Sequence, residues 1–286
     1  MRARGFDVSE YNNVDWKNVP KEWSSFVGIR AGSGGGHTLP TGNPEGAYTD
    51  KKLASHYAGA KSISALVFPY WYCMMSNPPE AEADAAWKVI GQYQWDLPLG
   101  MDVEYENDLL HIPIDTQIDW IVRFGNRFQQ LSGVKPMLYS FSWQFMHAWN
   151  TSARANDLGQ FYYWPADLSS GSPPSETANP KMPAYFKDWL FWQTSGNAPK
   201  DSSKPSDGSS ILPGFYGRPI DQDVFNGTID DLNNFAQGLS WNNSSTPLPN
   251  LPFQAKKVAQ AASNPLLTAG IIVGVSALAY RYLRDR

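Results

Sequence analysis

The sequence predicts an α/β fold, a (β/α) barrel of the TIM type, over residues 1–240. Short apolar runs alternate with helical patterns along this stretch, the order expected of parallel strands joined by crossover helices. Hydrophobic residues make up 42% of the 286 residues and include 12 Trp, enough to fill a barrel and cover its outer face. Two carboxylates, Asp102 and Glu104, sit two residues apart at the end of one apolar run, and barrel chemistry is carried at strand ends.

In chain order, SFVGIRA (Ser25 to Ala31), SALVFPYWY (Ser64 to Tyr72), LPLGMDVEY (Leu97 to Tyr105), KPMLYSF (Lys135 to Phe141), QFYYWPA (Gln160 to Ala166) and WLFWQTS (Trp189 to Ser195) read as strands. Between them, Thr49 to Ala60 carries Leu53, Ala54, Tyr57 and Ala58 at helical spacing. Glu80 to Tyr93 opens behind Pro79 with acidic side chains, both suited to a helix N-terminus. Gln117 to Leu131 places Ile118, Ile121, Val122, Phe124, Phe128 and Leu131 on one stripe, and Gly133 is placed to end it. Ser169 to Pro180 and Asn197 to Ser210, rich in Ser, Pro and Gly, read as mobile surface loops.

Residues 241–257, with NNSSTPLPNLP at their start, form a polar, Pro-rich linker. Residues 258–286 follow as a transmembrane helix with a basic end. Val258 to Tyr280 carries no charge and is long enough to span a hydrocarbon core, with Arg281, Arg284 and Arg286 behind it and Tyr280 and Tyr282 at the interface. Gly270 and Gly274 give this helix a GxxxG face for helix–helix self-association. The N-terminal MRARGFDVSEYNNVDW has no apolar run behind its arginines and does not read as a secretory signal.

Charge narrows the partners. The net charge is −4, yet the tail beyond Trp241 is basic, so the barrel is more acidic than the total. An acidic, aromatic-rich body with no basic stripe excludes nucleic acid as the main ligand and suits a neutral, hydroxyl-rich one such as a carbohydrate. Cys73, the single cysteine, lies in FPYWYCMM and reads as a buried thiol.

The stretch PLGMDVEYEN (Pro98 to Asn107) carries the chemistry. Alternate residues of a strand share a face, so Asp102 and Glu104 project together into the barrel mouth, with Glu106 next, while Met101 and Val103 face the helices. Two close carboxylates do not both ionise cheaply. A protonated acid beside an ionised one is what glycosidic cleavage needs: one protonates the leaving oxygen, and the other stabilises charge at the anomeric carbon. Spacing alone divides evenly between this reading and a solvated or arginine-neutralised pair. Tyr70, Tyr72, Tyr105, Tyr139, Trp164 and Trp192, at or near strand ends, are candidates for substrate binding, since sugars stack their C–H faces on aromatic rings.

GFDVSEYNNVDW (Gly5 to Trp16), PLGMDVEYEN, KPMLYSFSWQF, DWLFWQTSG (Asp188 to Gly196) and IDQDVFNG (Ile220 to Gly227) occur in an order that resembles glycoside hydrolase family 25, the muramidases of bacteriophage endolysins and of secreted bacterial and fungal lysozymes. The resemblance covers Gly5 to about Phe235 and implies a modified (β/α) barrel that cleaves the β-1,4 bond between N-acetylmuramic acid and N-acetylglucosamine in peptidoglycan glycan strands, with no cofactor and no metal. It implies Glu104 as proton donor and Asp102 as the group stabilising the reacting centre, directly or by holding the substrate's 2-acetamido group. Asp7 and Asp221 flank them. The family reads D-x-N where this chain has Asp221-Gln222-Asp223, which leaves the fourth acid open between Asp221 and Asp223. The chain also departs from the family at IRAGSGGGH, where a Lys is usual, and at Tyr70-Trp71-Tyr72, where Tyr-His-Phe is usual.

GSGGGHT (Gly32 to Thr38) lacks the lysine a phosphate loop needs, and the four histidines lack metal-ligand spacing. The expectation is a membrane-tethered peptidoglycan hydrolase of a phage virion or lysis system, or of the bacterial envelope. The alternatives are a chitinase-like glycosidase, which usually carries an Asp where this chain has Gly100, and a catalytically silent structural or wall-binding virion protein.

Overall fold

The six apolar runs form strands, and the motifs GFDV and DQDVF supply two more that close them into a ring. The computed structural model describes residues 1–35, 47–104, 111–196, 213–216 and 220–242. Residues 243–286 lie outside this set, and with them most of the expected linker, the expected membrane helix and Gly270 and Gly274. Among the described residues, no helix is long and apolar enough to cross a membrane.

The strands are β1 (Arg4–Val8), β2 (Asn13–Val14), β3 (Phe26–Ser33), β4 (Tyr48–Thr49), β5 (Leu66–Tyr72), β6 (Gly100–Asp102), β7 (Met137–Phe141), β8 (Tyr162–Ala166), β9 (Phe191–Ser195), β10 (Phe215–Tyr216) and β11 (Asp221–Phe225). The main sheet runs β1-β11-β9-β8-β7-β6-β5-β3-β4, and a further β1–β3 pairing closes it into an eight-stranded barrel with β4 outside the ring. From β1 through β3, β5, β6, β7 and β8 to β9 every pairing around the barrel is parallel. β11 runs antiparallel to both of its neighbours, β1 and β9, which departs from the uniformly parallel barrel that alternation predicts.

Helices α1 (Leu53–Ser62), α2 (Pro79–Ile90) and α3 (Ile114–Ser132) follow β4, β5 and β6, and α4 (Ile229–Gln237) follows β11. α3 buries Ile118, Ile121, Phe124 and Phe128 on the predicted stripe, and it ends where Gly133 turns left-handed (φ 77°) and donates its N–H to Gln129 O. After β7 the crossover is made of short turns, a π-helical one at Gln144–Ala148 and 3-10 turns at Trp149–Thr151 and Ala155–Gln160. They are tied inward by Trp149, whose indole N–H donates to Gln117 Oε1 at 2.9 Å. The segment after β8, expected to be mobile, is pinned instead. Asp167 accepts from Ser169 and from the Lys181 N–H, and Ser172 bonds to Thr194 at 2.8 Å. The second expected loop, Asn197 to Ser210, lies outside the described residues.

Side chains alternate across each strand. Val27, Ile29, Trp71, Met101 and Leu138 point outward into the layer shared with the helices, as the strand pattern predicts for Met101. Inside, Phe26, Phe68, Phe191, Phe225 and Trp164 fill the lower barrel. Gly100 is glycine for want of room: a Cβ there would sit 2.7 Å from the Trp164 ring and 3.1 Å from Tyr70. Cys73 is buried, and burial holds its thiol well above its ordinary pKa. On α2, Glu82 turns inward to accept from Met74 N (2.8 Å), Asn77 Nδ2 (2.7 Å) and Trp71 Nε1 (3.2 Å), tying the chain after β5 to the helix. At the end of the described chain, Trp241 stacks on Trp87 with ring centroids 6.3 Å apart.

Candidate active site

The parallel strands bring their C-terminal ends to one rim, and β11, because it runs the other way, brings its start there. Asp221, the first residue of β11, is therefore level with Asp7 near the end of β1. On the far side, Tyr72 of β5 is level with Asp102 of β6, and Asp102 with Tyr139 of β7. Asp102 is 5% exposed, while Glu104, two residues further toward the opening, is half-buried. Asp7, Asp102, Glu104 and Asp221 all line one cleft of about 170 Å³. The two strands that begin and end the chain's barrel thus face the D-x-E strand across a single opening.

The buried side of the cleft is a hydrogen-bonded ring. Asp7, 6% exposed, accepts from Gln193 Nε2 at 3.2 Å and from the Tyr70 hydroxyl, and the Asp223 carboxyl lies beside it. Burial outweighs these donors and the nearby Arg30 charge, pushing the Asp7 carboxyl up to about 6. Gln193 turns its carbonyl to Tyr139, whose hydroxyl donates at 2.9 Å. Burial, and then the charge of Asp7, holds the Tyr70 phenol well above its ordinary pKa; burial, with Glu104 and Asp102 next, does the same at Tyr139. Both phenols are neutral donors at the edge of an acidic cleft. Among the described residues that line it, the cation is Arg30, whose Nε donates to Asp50 (2.7 Å) and Nη2 to Glu10 (3.0 Å), with the Tyr11 ring 5.1 Å from the guanidinium. That doubly paired guanidinium is fixed in place beside the acids.

Of the predicted substrate-binding aromatics, Tyr70, Tyr72, Tyr139 and Trp164 line the cleft. Trp164 forms its floor: it is 2% exposed, its ring lies 4.6 Å from that of Tyr139, and its indole N–H donates to Asp223 Oδ1 at 2.8 Å. Trp192 is a correction. It sits on the outward face of β9, fully buried, with its N–H on Asp167 O at 2.8 Å, and it takes no part in the cleft. Tyr105 lies outside the described residues, as does Glu106. Between the two acids of β11, Asp221 lines the cleft and Asp223 lies below it, fully buried.

Sequence reasoning missed Ser9, Tyr11, Asn12, Arg30 and Gln193, all of which line the cleft. A signal was present for three of them: Ser9, Tyr11 and Asn12 belong to the same GFDVSEYNN stretch as Asp7. Arg30 stands two residues after Gly28 and Gln193 two after Phe191, on the inward parity of strands that are apolar on both faces.

The model of the glycosyl hydrolases family 25 matches residues 6–202. The uncharacterized protein YegX of Escherichia coli O6:H1 is 23% identical over 242 residues, covering 82% of this chain and 74% of that protein. Among solved structures, the bacterial lysozyme of Streptomyces coelicolor superposes with a TM-score of 0.63 at 18% identity, covering 84% of this chain and 99% of its own. The family 25 lysozyme of Aspergillus fumigatus superposes at 0.61 with 24% identity, covering 82% and 99%. The autolysin LytC of Streptococcus pneumoniae, solved with a synthetic peptidoglycan ligand, superposes at 0.55 with 19% identity, covering 79% of this chain and 47% of its own. With two thirds of its length matched by that family model, and the four acids of its D-x-E, N-terminal and C-terminal motifs gathered on one rim, this chain belongs to glycosyl hydrolases family 25.

Proposed function

We propose that this family 25 glycoside hydrolase is a muramidase that cleaves the β-1,4 bond between N-acetylmuramic acid and N-acetylglucosamine in peptidoglycan. The observation that carries the reading is the meeting of Asp7 of β1, Asp102 of β6, Glu104 two residues beyond it and Asp221 of β11 on one cleft. Glu104, the most open of the strand β6 acids, protonates the glycosidic oxygen as the C–O bond breaks. Asp102, deeper on the same face, offsets the positive charge left at the anomeric carbon, directly or through the substrate's 2-acetamido group. Water then adds to that carbon and returns a proton to Glu104. Asp7 and Asp221 hold the opposite wall, and the neutral hydroxyls of Tyr70 and Tyr139 sit beside the acids as donors.

The chitinase-like alternative usually carries a further acid at position 100, and the Trp164 ring occupies the space that any side chain there would need. The lysozymes of similar fold and the peptidoglycan ligand of LytC support a wall glycan as substrate. Digestion of purified peptidoglycan, followed by mass spectrometry of borohydride-reduced products, tests the assignment. Reduced N-acetylmuramic acid at the new ends is expected, and reduced N-acetylglucosamine overturns it.

The same proposal extends to the tail. Val258–Tyr280 with its arginine end tethers the hydrolase to a lipid membrane, in a phage lysis or virion setting or in the bacterial envelope, and Gly270 with Gly274 allows the tethers to pair. Membrane fractionation of the full chain beside one ending at residue 242 checks this: only the full chain is expected to sediment with membranes.

A further inference from the structure

Below the rim acids lies a carboxyl group that the reaction scheme does not use. Asp223 is fully buried on the inward face of β11, level with Gly5 of β1 and one layer beneath the Asp7–Asp221 pair. Its Oδ1 accepts from the Trp164 indole, and its Oδ2 is buried with no N–H or O–H donor from another residue among the described ones. What the Asp223 carboxyl does have beside it is the carboxylate of Asp7, another acceptor. Two acceptors meet without penalty only when one of them carries a proton.

We propose that Asp223 is a positioning residue: a neutral carboxylic acid built into the barrel below the cleft, which donates its proton to Asp7 and fixes the direction in which that carboxylate faces the substrate. The geometry is two-ended. Trp164 holds one oxygen of Asp223 and Asp7 takes the proton of the other, so the floor of the cleft and its wall are linked through one side chain. The cation and the donors around the pair favour this state. Arg30 from β3 places positive charge near Asp7, Gln193 from β9 and Tyr70 from β5 donate to it, and Asp102 from β6, Asp221 from β11 and Tyr139 from β7 complete the titratable surroundings. Arg30, Gln193 and Tyr70 favour the charge on Asp7, the like charges of Asp102 and Asp221 oppose it, and Trp164 is the donor that reaches Asp223. Burial first, and the negative charge of Asp7 second, drive the Asp223 carboxyl well above the usual carboxylate range.

The inference deepens the muramidase reading, since Asp7 matters only as part of that cleft, and the test separates the two. Asn is the isostere of a neutral carboxyl: in Asp223→Asn, Oδ1 still accepts from Trp164 and Nδ2 still donates to Asp7. A carboxyl whose folded-state pKa is raised supports stability fully below its unfolded value and loses that support as pH rises toward the folded one. The Asn side chain has no such loss. Thermal melts from pH 4 to pH 8 are therefore expected to show Asp223→Asn near wild type at the acid end and several degrees above it at the alkaline end. This readout needs no substrate, so it stands even if the peptidoglycan assay finds no cleavage. A gap that stays constant with pH, or an Asn variant that melts lower throughout, means an ionised Asp223 and overturns the proposal.

The activity arm reads positioning. On solubilised peptidoglycan, Asp223→Asn is expected to keep kcat within about threefold, and Asp223→Ala, which strands both Trp164 and Asp7, to lose about tenfold or more in kcat with KM little changed. An Asn variant as impaired as the Ala variant, or an Ala variant with wild-type kcat, overturns it. If Ala prevents folding, the Asn comparison alone decides.

Discussion

β6 and β11 carry the same spacing of acids, Asp102-x-Glu104 and Asp221-x-Asp223, and put it to opposite uses. On β6 the chain climbs toward the rim, so the second acid emerges: Asp102 is 5% exposed and Glu104 stands half-buried above it. β11 descends from the rim, so its first acid lines the cleft and its second sinks to complete burial against Trp164 and Asp7. A pair of carboxylates two residues apart shares a face in either case. Strand direction decides whether the second is a reagent open to substrate or an internal prop. The rung below Asp102 on β6 is Gly100, and Trp164 spans the barrel between the two strands, its ring over Gly100 and its N–H on Asp223.

The largest effect expected from this contrast falls on Glu104. Glu104→Gln keeps the shape and removes the transferable proton, so turbidity clearing of cell walls should slow by about 10² to 10⁴-fold. The melting temperature should stay within about a degree, because a half-buried rim residue carries little of the packing. Near-normal clearing would break the comparison at its root, since neither strand would then end in the proton donor.

Trp164→Phe sharpens it next. The smaller ring draws back from Gly100, Asp223 Oδ1 loses its donor inside the barrel, and a small void opens. Urea denaturation should register a loss of about 3 kcal/mol from the stranded acceptor and the void together. A loss under about 1 kcal/mol would mean that Trp164 holds β11 by ring packing alone.

What could be read in advance divides along the same line. Six strands and three helices were legible because apolar runs and the α3 stripe report burial, and Gly133 announced a helix end that its left-handed backbone provides; on α1 the helix was legible but its face was not, since Ala54 and Ala58 are exposed and His56 and Gly59 are buried. The spacing of both acid pairs was legible as well. The direction of β11 was not, because direction is set by the connection from β9 and not by the residues of the strand. Nor was parity on strands buried on both faces: Trp164 and Trp192 look alike in QFYYWPA and WLFWQTS, yet one floors the cleft and the other packs outward. Arg30 escaped notice for the same reason, being an inward charge on a run whose outward residues are Val27, Ile29 and Ala31.

Gly100→Ala is the smallest of these changes and the one that tests the bridge itself. The added methyl would lie 2.7 Å from the Trp164 ring and 3.1 Å from Tyr70 Cβ, closer than atoms pack, so the indole has to tilt or β6 has to shift. Overpacking of this kind costs about 1–3 kcal/mol, and with one methyl and a ring edge the lower half of that range is expected in urea denaturation. The activity readout separates the two ways of relaxing. If the indole tilts, its N–H leaves Asp223, Asp7 loses its fixed partner, and kcat falls while the Glu104 side of the cleft is unchanged. If β6 shifts instead, Asp102 and Glu104 move with it, and activity falls through the acids themselves. Combining Gly100→Ala with Trp164→Phe tells these apart. An indole clash relieved by the smaller ring makes the two stability losses less than additive, whereas a displaced strand leaves them additive.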